Sequence, residues 1–492
     1  MKQRVVIIGS GLGGLSCGVI LAKNGYQVTI LEQDHQAGGC LQCFERNGAK
    51  FETGMHFIGS AAKGQTLQRL LHYLEVDVRL SQLDTEAYEV ISLKGKKYPF
   101  ATGRKRFIER LSASFPDQKV NLEHLCDIVE GVAGASSLHS LKHTETALST
   151  QYQLRSINDV VEEVITDPVL QRVVVGNLPL YAAEKDKTPF STYAFVMDFY
   201  NQSAYRVIGG SDHIARSLMT TLTKYGAEVI VCKKVKSIDC DDTHATGVTC
   251  EDGSHYDADI VISDAHPART VEMVHSPLLR PAYRKRIEAL PNTVGGFSVY
   301  LHFKPEAMPY MNYNFYGYAQ ESPWDCENYT PKDWPKGYLY MHFCDEERQQ
   351  WAKSGVILSY MRMEDVAQWQ GTAVGKRGSD YEEFKRQHAE KLLDAVAKEF
   401  PSLRESISEY YTSTPLTYYD YTGTEGGSMY GIAKDINLGA AARVHHRTKI
   451  PNLLLTGQNI NSHGILGVLV GTMVTCGEIL TSEKIFNQIV NG

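Results

Sequence analysis

Val5-Val6-Ile7-Ile8-Gly9-Ser10-Gly11-Leu12-Gly13-Gly14, then Leu15 to Asn24, then Val28-Thr29-Ile30-Leu31-Glu32, is the stretch on which the fold turns. Four β-branched residues in a row suit a central parallel strand buried on both faces. A glycine turn follows at once, then a helical stretch, a second apolar strand and an acid. Gly9 makes the tight turn, Gly11 admits a pyrophosphate to the backbone, and Gly14 lets the helix pack close to the sheet. The helix N-terminus offers free N–H groups and partial positive charge to phosphates. Glu32 stands where a carboxylate accepts hydrogen bonds from ribose hydroxyls and repels a 2′-phosphate. This order predicts a dinucleotide site. It does not by itself choose between FAD and NAD.

Working outward, Gly209-Gly210-Ser211-Asp212-His213-Ile214 opens an amphipathic helix carrying Leu218 and Leu222. Ala227–Val231 reads as a strand continued by Val235–Ile238, and Gly247–Thr249 with Tyr256–Asp259 reads as a meander ending in the apolar strand Ile260–Ser263. Near the far end, Asn452–Gln458 runs as a strand into a glycine turn. Ser462-His463-Gly464-Ile465-Leu466-Gly467 then opens a last helix through Ile479. That helix start is a second place able to hold a pyrophosphate or a ribityl chain. Tyr381, Phe384, His388, Leu392, Val396 and Phe400 recur at helical spacing up to Pro401, a packed structural face.

The chain has 492 residues, 43% hydrophobic and 22% charged, so disordered, collagen-like and low-complexity states are excluded. Its net charge of −7 speaks against a nucleic-acid-binding face. Ten cysteines are too few for a disulfide scaffold. The opening apolar run is too short for a signal peptide. The uncharged stretch Asn452–Gly477, with Gln458, Asn459, Asn461, Ser462 and His463, is too polar to span a membrane. The expected compartment is therefore the cytoplasm, with peripheral membrane contact left open.

Gln36-Ala37-Gly38-Gly39-Cys40 follows Glu32 closely, and this double glycine resembles the extended FAD fingerprint of the two-dinucleotide-binding-domain flavoproteins. Leu31–Cys40, with Gln33 inside it, and Phe51-Glu52-Thr53-Gly54-Met55-His56-Phe57-Ile58-Gly59 together resemble the retinol saturase and carotenoid isomerase branch of the phytoene desaturase-like flavoproteins. Thr414–Thr417, Tyr421-Thr422-Gly423 and Leu455–Gln458 resemble the same branch. The resemblance implies an α/β fold: a Rossmann-like FAD domain from residues 1–60, 205–289 and 431–492, and a mixed α+β substrate domain from 61–204 and 290–430. It implies FAD held by Gly9, Gly11, Gly13, Gly14, Glu32, Gln33, Gly38, Gly39, Cys40, Val235, Gly457, Gln458, His463, Gly464 and Ile465. It further implies redox or isomerase chemistry on carbon–carbon double bonds of a polyene or isoprenoid. Saturation or desaturation is preferred here to isomerisation. A flavin amine oxidase and a non-enzymatic escort or dissociation-inhibitor protein of the same fold are the rival readings. No second glycine fingerprint marks a nicotinamide site, so the electron donor or acceptor stays open.

The catalytic candidates are His56, a residue type that titrates near neutrality, and Tyr421 and Glu425 in the loop before Gly426-Gly427. For each the competing reading is a structural hydrogen bond. Cys40 and Cys43 form a CxxC pair without a second pair to complete a zinc site, and loop packing is the better reading. Tyr310, Tyr313, Phe315, Tyr316 and Tyr318 line either a hydrophobic tunnel or membrane surface, or an ordinary core strand. Arg104-Lys105-Arg106 reads as a solvated helix start.

Overall fold

The computed structural model describes residues 2–136, 147–460 and 462–491. The opening strand Arg4–Ile8 lies at the centre of a five-stranded parallel sheet, between Gln27–Leu31 and Ile260–Ser263. Glu228–Ile230 and Leu453–Leu455 form its edges. Three distant stretches thus build one sheet. The opening helix Leu12–Lys23 packs between the helices Asp212–Lys224 and Gly464–Leu480; the latter, expected to be the last, is followed by a further helix, Ser482–Asn491. Only glycine permits its approach to the sheet: a Cβ on Gly14 would press into the Gly9 carbonyl oxygen. Val235–Cys240, expected to continue the strand before it, instead begins an antiparallel meander with Ala245–Cys250 and His255–Asp257. Cys232, at a positive φ of 54°, turns the chain between the two strands.

A seven-stranded mixed sheet is the second large element. Its order is Ile407–Ser413, Gly295–Phe303, Ser354–Met361, Gly337–His342, Asn314–Tyr318, Glu89–Leu93, Lys96–Phe100. All pairs are antiparallel except Asn314–Tyr318 with Glu89–Leu93. One face, with Phe297, Val299, Leu301, Phe315, Tyr340 and Ile357, packs on the long helix Ser379–Ala397. The opposite face carries Tyr316, Leu339, Met341, Val356 and Leu358 and joins the core shared with the parallel sheet. The tyrosine-rich segment is therefore a central core strand, with Phe315 on one side and Tyr316 on the other. Arg104 starts the helix Arg104–Ser112, as the basic run suggested, and pairs with Asp127 and Glu130. Among the described residues no helix is long and apolar enough to cross a membrane.

Candidate active site

A cavity of about 750 Å³ begins at the glycine turn and runs on into the space beneath the large sheet. Its first part is walled by Gly9, Ser10, Gly11, Gly13, Glu32, Gln33, Gly38, Gly39, Cys40, Val235, Gly457, Gln458 and Gly464. The turn starts the opening helix at Gly11, which has no side chain to cap it. Glu32 is buried, and its carboxylate accepts from the Ser10 N–H and hydroxyl at 2.9 and 2.5 Å and from the Asp34 N–H at 2.9 Å. These bonds fix it on the groove wall. Gly39 lies against Gly11, where a Cβ would come within 3.1 Å of the Gly11 Cα.

One neighbour went unread in the sequence. Asp264, directly after the strand Ile260–Ser263, turns its carboxylate under the glycines. A Cβ on Gly11 would stand 2.5 Å from Asp264 Oδ2, and one on Gly13 would stand 2.9 Å from the Gly457 Cα. Burial, chiefly, and the nearby Glu32 charge raise the Asp264 carboxyl to about 7, against the hydrogen bonds it accepts from the Gly14 and Gly11 N–H groups.

The cavity's inner part is walled by Met55, His56, Phe57, Leu180, Tyr200, Leu339, Met341, Leu358, Tyr418, Met429 and Tyr430. Tyr418 donates to the Thr53 carbonyl at 2.9 Å and Tyr430 to the Pro179 carbonyl at 3.0 Å, tying the walls together. His56 is nearly enclosed. Its Nδ1 lies 3.6 Å from Glu52 Oε2, whose other oxygen accepts the Ser211 N–H at 2.9 Å. Arg206, itself buried, donates to the His56 carbonyl at 3.3 Å. His56 is thus fixed from its backbone and its ring.

Other sequence candidates stand elsewhere. Gly14 lies behind the wall, against the sheet. His463 and Ile465 are buried just off the wall. The His463 ring packs tilted against Tyr430 at 5.0 Å, and burial lowers its imidazole to about 3, so it is neutral. Tyr421 lines the mouth and is 44% exposed. Glu425 is off the wall: at the rim it pairs with Arg269 at 3.1 Å, which also takes Glu272 and Tyr419. Cys40 and Cys43 are free thiols that burial pushes up to about 11 and about 12, too high for a reactive dithiol.

The sequence pattern of flavin containing amine oxidoreductases matches residues 12–465. The chain belongs to that family. It is an FAD-dependent oxidoreductase, so the escort reading falls away. Over 99% of its length it is 28% identical to rat all-trans-retinol 13,14-reductase, covering 87% of that protein. It is 24% identical to carrot chloroplastic prolycopene isomerase, over 94% of this chain and 77% of that one. Among solved structures, an oxidoreductase from Methanosarcina mazei superposes with a TM-score of 0.67 at 16% identity, covering 96% of this chain and 99% of that one. Cyclohexylamine oxidase from Brevibacterium oxydans superposes at 0.60 and 15% identity, over 99% and 100%. At such identities these likenesses speak for the fold.

The groove fits FAD. Its Gly11 and Gly13 sit where a Cβ would strike Asp264 or Gly457, the opening helix has no side chain at its N-cap, and a buried carboxylate borders it. Such a helix start suits a pyrophosphate and such an acid suits a ribose. Gly9, Gly11, Gly13, Gly38, Gly39 and Glu32 would hold the adenine-linked half. The wall at Gly457, Gln458 and Gly464 would receive the remainder.

Proposed function

We propose that this enzyme adds or removes hydrogen across carbon–carbon double bonds of a hydrophobic polyene of the retinoid or carotenoid kind. The observation that carries this reading is the continuity of the dinucleotide groove with a chamber walled by Phe57, Leu180, Leu339, Met341 and Leu358. The names of the relatives support the substrate class.

Bound FAD supplies hydride exchange with carbon, chemistry that no side chain can perform. The chain does the rest. The apolar walls align a long hydrocarbon and exclude water. His56, on the chamber wall, holds or releases the proton that balances a hydride at the neighbouring carbon, and Glu52 orients the ring so that Nε2 is the exchanging atom. Tyr418 and Tyr430, whose phenols burial pushes up, stay neutral and hold the walls.

The test is an anaerobic single turnover. The FAD-loaded protein, reduced with dithionite, is mixed with all-trans-retinol. Flavin reoxidation together with a product heavier by two hydrogens is expected. An unchanged polyene, with hydrogen peroxide released from amines under air, would replace this reading by the amine oxidase one.

A further inference from the structure

The large sheet bears a polar spot that neither the groove nor His56 uses. Strand register puts Tyr316 directly opposite Leu339, a chamber wall, and Leu339 opposite Leu358, another. Paired residues share a face, so Tyr316 lies on the chamber side of the sheet. One strand further, Glu89 pairs with Asn314 and shares that face. Glu89 is fully buried. Its Oε1 accepts from the Tyr316 hydroxyl at 2.8 Å and its Oε2 from the Asn177 amide at 3.2 Å. Among the described residues no cation pairs with it, and burial raises its carboxyl to about 7.

Phenols crowd this carboxyl. Tyr200, on the chamber wall, and Tyr181, next to the wall residue Leu180, both feel the Glu89 charge. The Tyr181 hydroxyl and the Asn177 side-chain oxygen are buried without a hydrogen-bond partner. Leaving such groups unpaired is costly. Tyr200 is the member of the cluster on the chamber wall, with the others buried behind it, and a ligand oxygen reaching past it would satisfy groups that the core leaves unpaired.

We propose that Glu89, Tyr316, Tyr181 and Tyr200 form the polar end of the substrate chamber and receive a hydroxyl or carbonyl group that terminates an otherwise hydrocarbon polyene. Tyr200 meets the ligand from the wall, and Tyr181 gives the unspent hydroxyl. Glu89 is a positioning residue: it holds Tyr316 and Asn177 and sets the polarity of the pocket. This subsite rests on the polyene reading and names its substrates as oxygen-ended, so a pure hydrocarbon leaves the cluster unpaired and binds weakly.

The test is equilibrium dialysis of the FAD-loaded protein against all-trans-retinol and against its deoxy hydrocarbon analogue. Retinol is expected to bind at least about tenfold more tightly, the worth of about 1.4 kcal/mol of hydrogen bonding. Tyr200→Phe, Tyr181→Phe and Glu89→Gln should each narrow that ratio to within about threefold while the hydrocarbon affinity stays within about twofold. The two Phe variants remove one oxygen each and keep the core filled, so they decide the matter if Glu89→Gln does not fold. Equal binding of the two ligands by the native protein overturns the subsite and leaves the polyene reading standing. So do Phe variants that weaken both ligands alike. Binding of neither ligand overturns the polyene reading and the subsite with it.

Discussion

Replacing Asp264 by Asn should make FAD binding independent of pH. The Asp264 carboxyl accepts from Gly11 and Gly14, donors that a pyrophosphate also seeks, and it sits at about 7 because of burial and Glu32. Since this value lies above the ordinary 3.8, the folded protein favours the protonated form. The stabilising effect of that proton is complete below 3.8 and is lost as pH rises through about 7. FAD brings further negative charge to the same glycines and so prefers the neutral carboxyl. Between about pH 6 and about pH 8 the neutral fraction of the FAD-free protein falls from about nine-tenths to about one-tenth, and the apparent Kd should rise about tenfold. Asn keeps the shape without the charge, so Asp264→Asn should give a flat profile and bind about tenfold more tightly than the native chain near pH 8. Flavin-fluorescence titration of the FAD-free protein reads both. Calorimetry in two buffers of different ionisation enthalpy should show proton uptake by the native chain alone. A flat native profile, or an equally steep one for Asp264→Asn, would show that the Asp264 charge does not control FAD binding.

Gly14→Ala drives a methyl group into the Gly9 carbonyl and should yield protein without bound flavin, seen as a missing visible absorption band, whereas Gly134→Ala, on an open helix face, should keep it. Glu32→Ala removes a buried carboxylate holding Ser10 and Asp34 and should weaken FAD by about 1.5–3 kcal/mol, a Kd rise of about tenfold to about 150-fold by the same titration. His56→Ala should retain FAD and lose at least about 100-fold in kcat, and Glu52→Gln should lower kcat about tenfold with KM within about twofold; unchanged turnover in His56→Ala would remove that residue from the mechanism.

The opening unit was legible in the sequence because its constraints are local. A buried strand, a turn that tolerates no Cβ and an acid at a set spacing all leave their mark within 32 residues. The large sheet left no such mark. Ser354–Met361 and Gly337–His342 are buried on both faces, so even this pair, close in the chain, lacks the alternation that signals a half-exposed strand. The tyrosine cluster was readable as apolar, yet its side of the chamber was set by register across four strands. Asp264 had a readable signal, an acid directly after an apolar strand, but only strand order places it beneath the glycines. Glu52 precedes His56 by four residues in a motif already quoted, and its role appeared only once Ser211 was seen to hold it. Glu425 was drawn to the site by its loop and is held at the rim by Arg269.

In the proposed reaction a single cavity brings the cofactor and a polyene together at His56. The most direct measurement is a crystal structure of the FAD-loaded protein with all-trans-retinol. The ligand's chain should lie along Leu339, Met341 and Leu358, with a double bond between His56 and the flavin ring. A ligand found outside that chamber, or a flavin ring pointing away from His56, would contradict that arrangement.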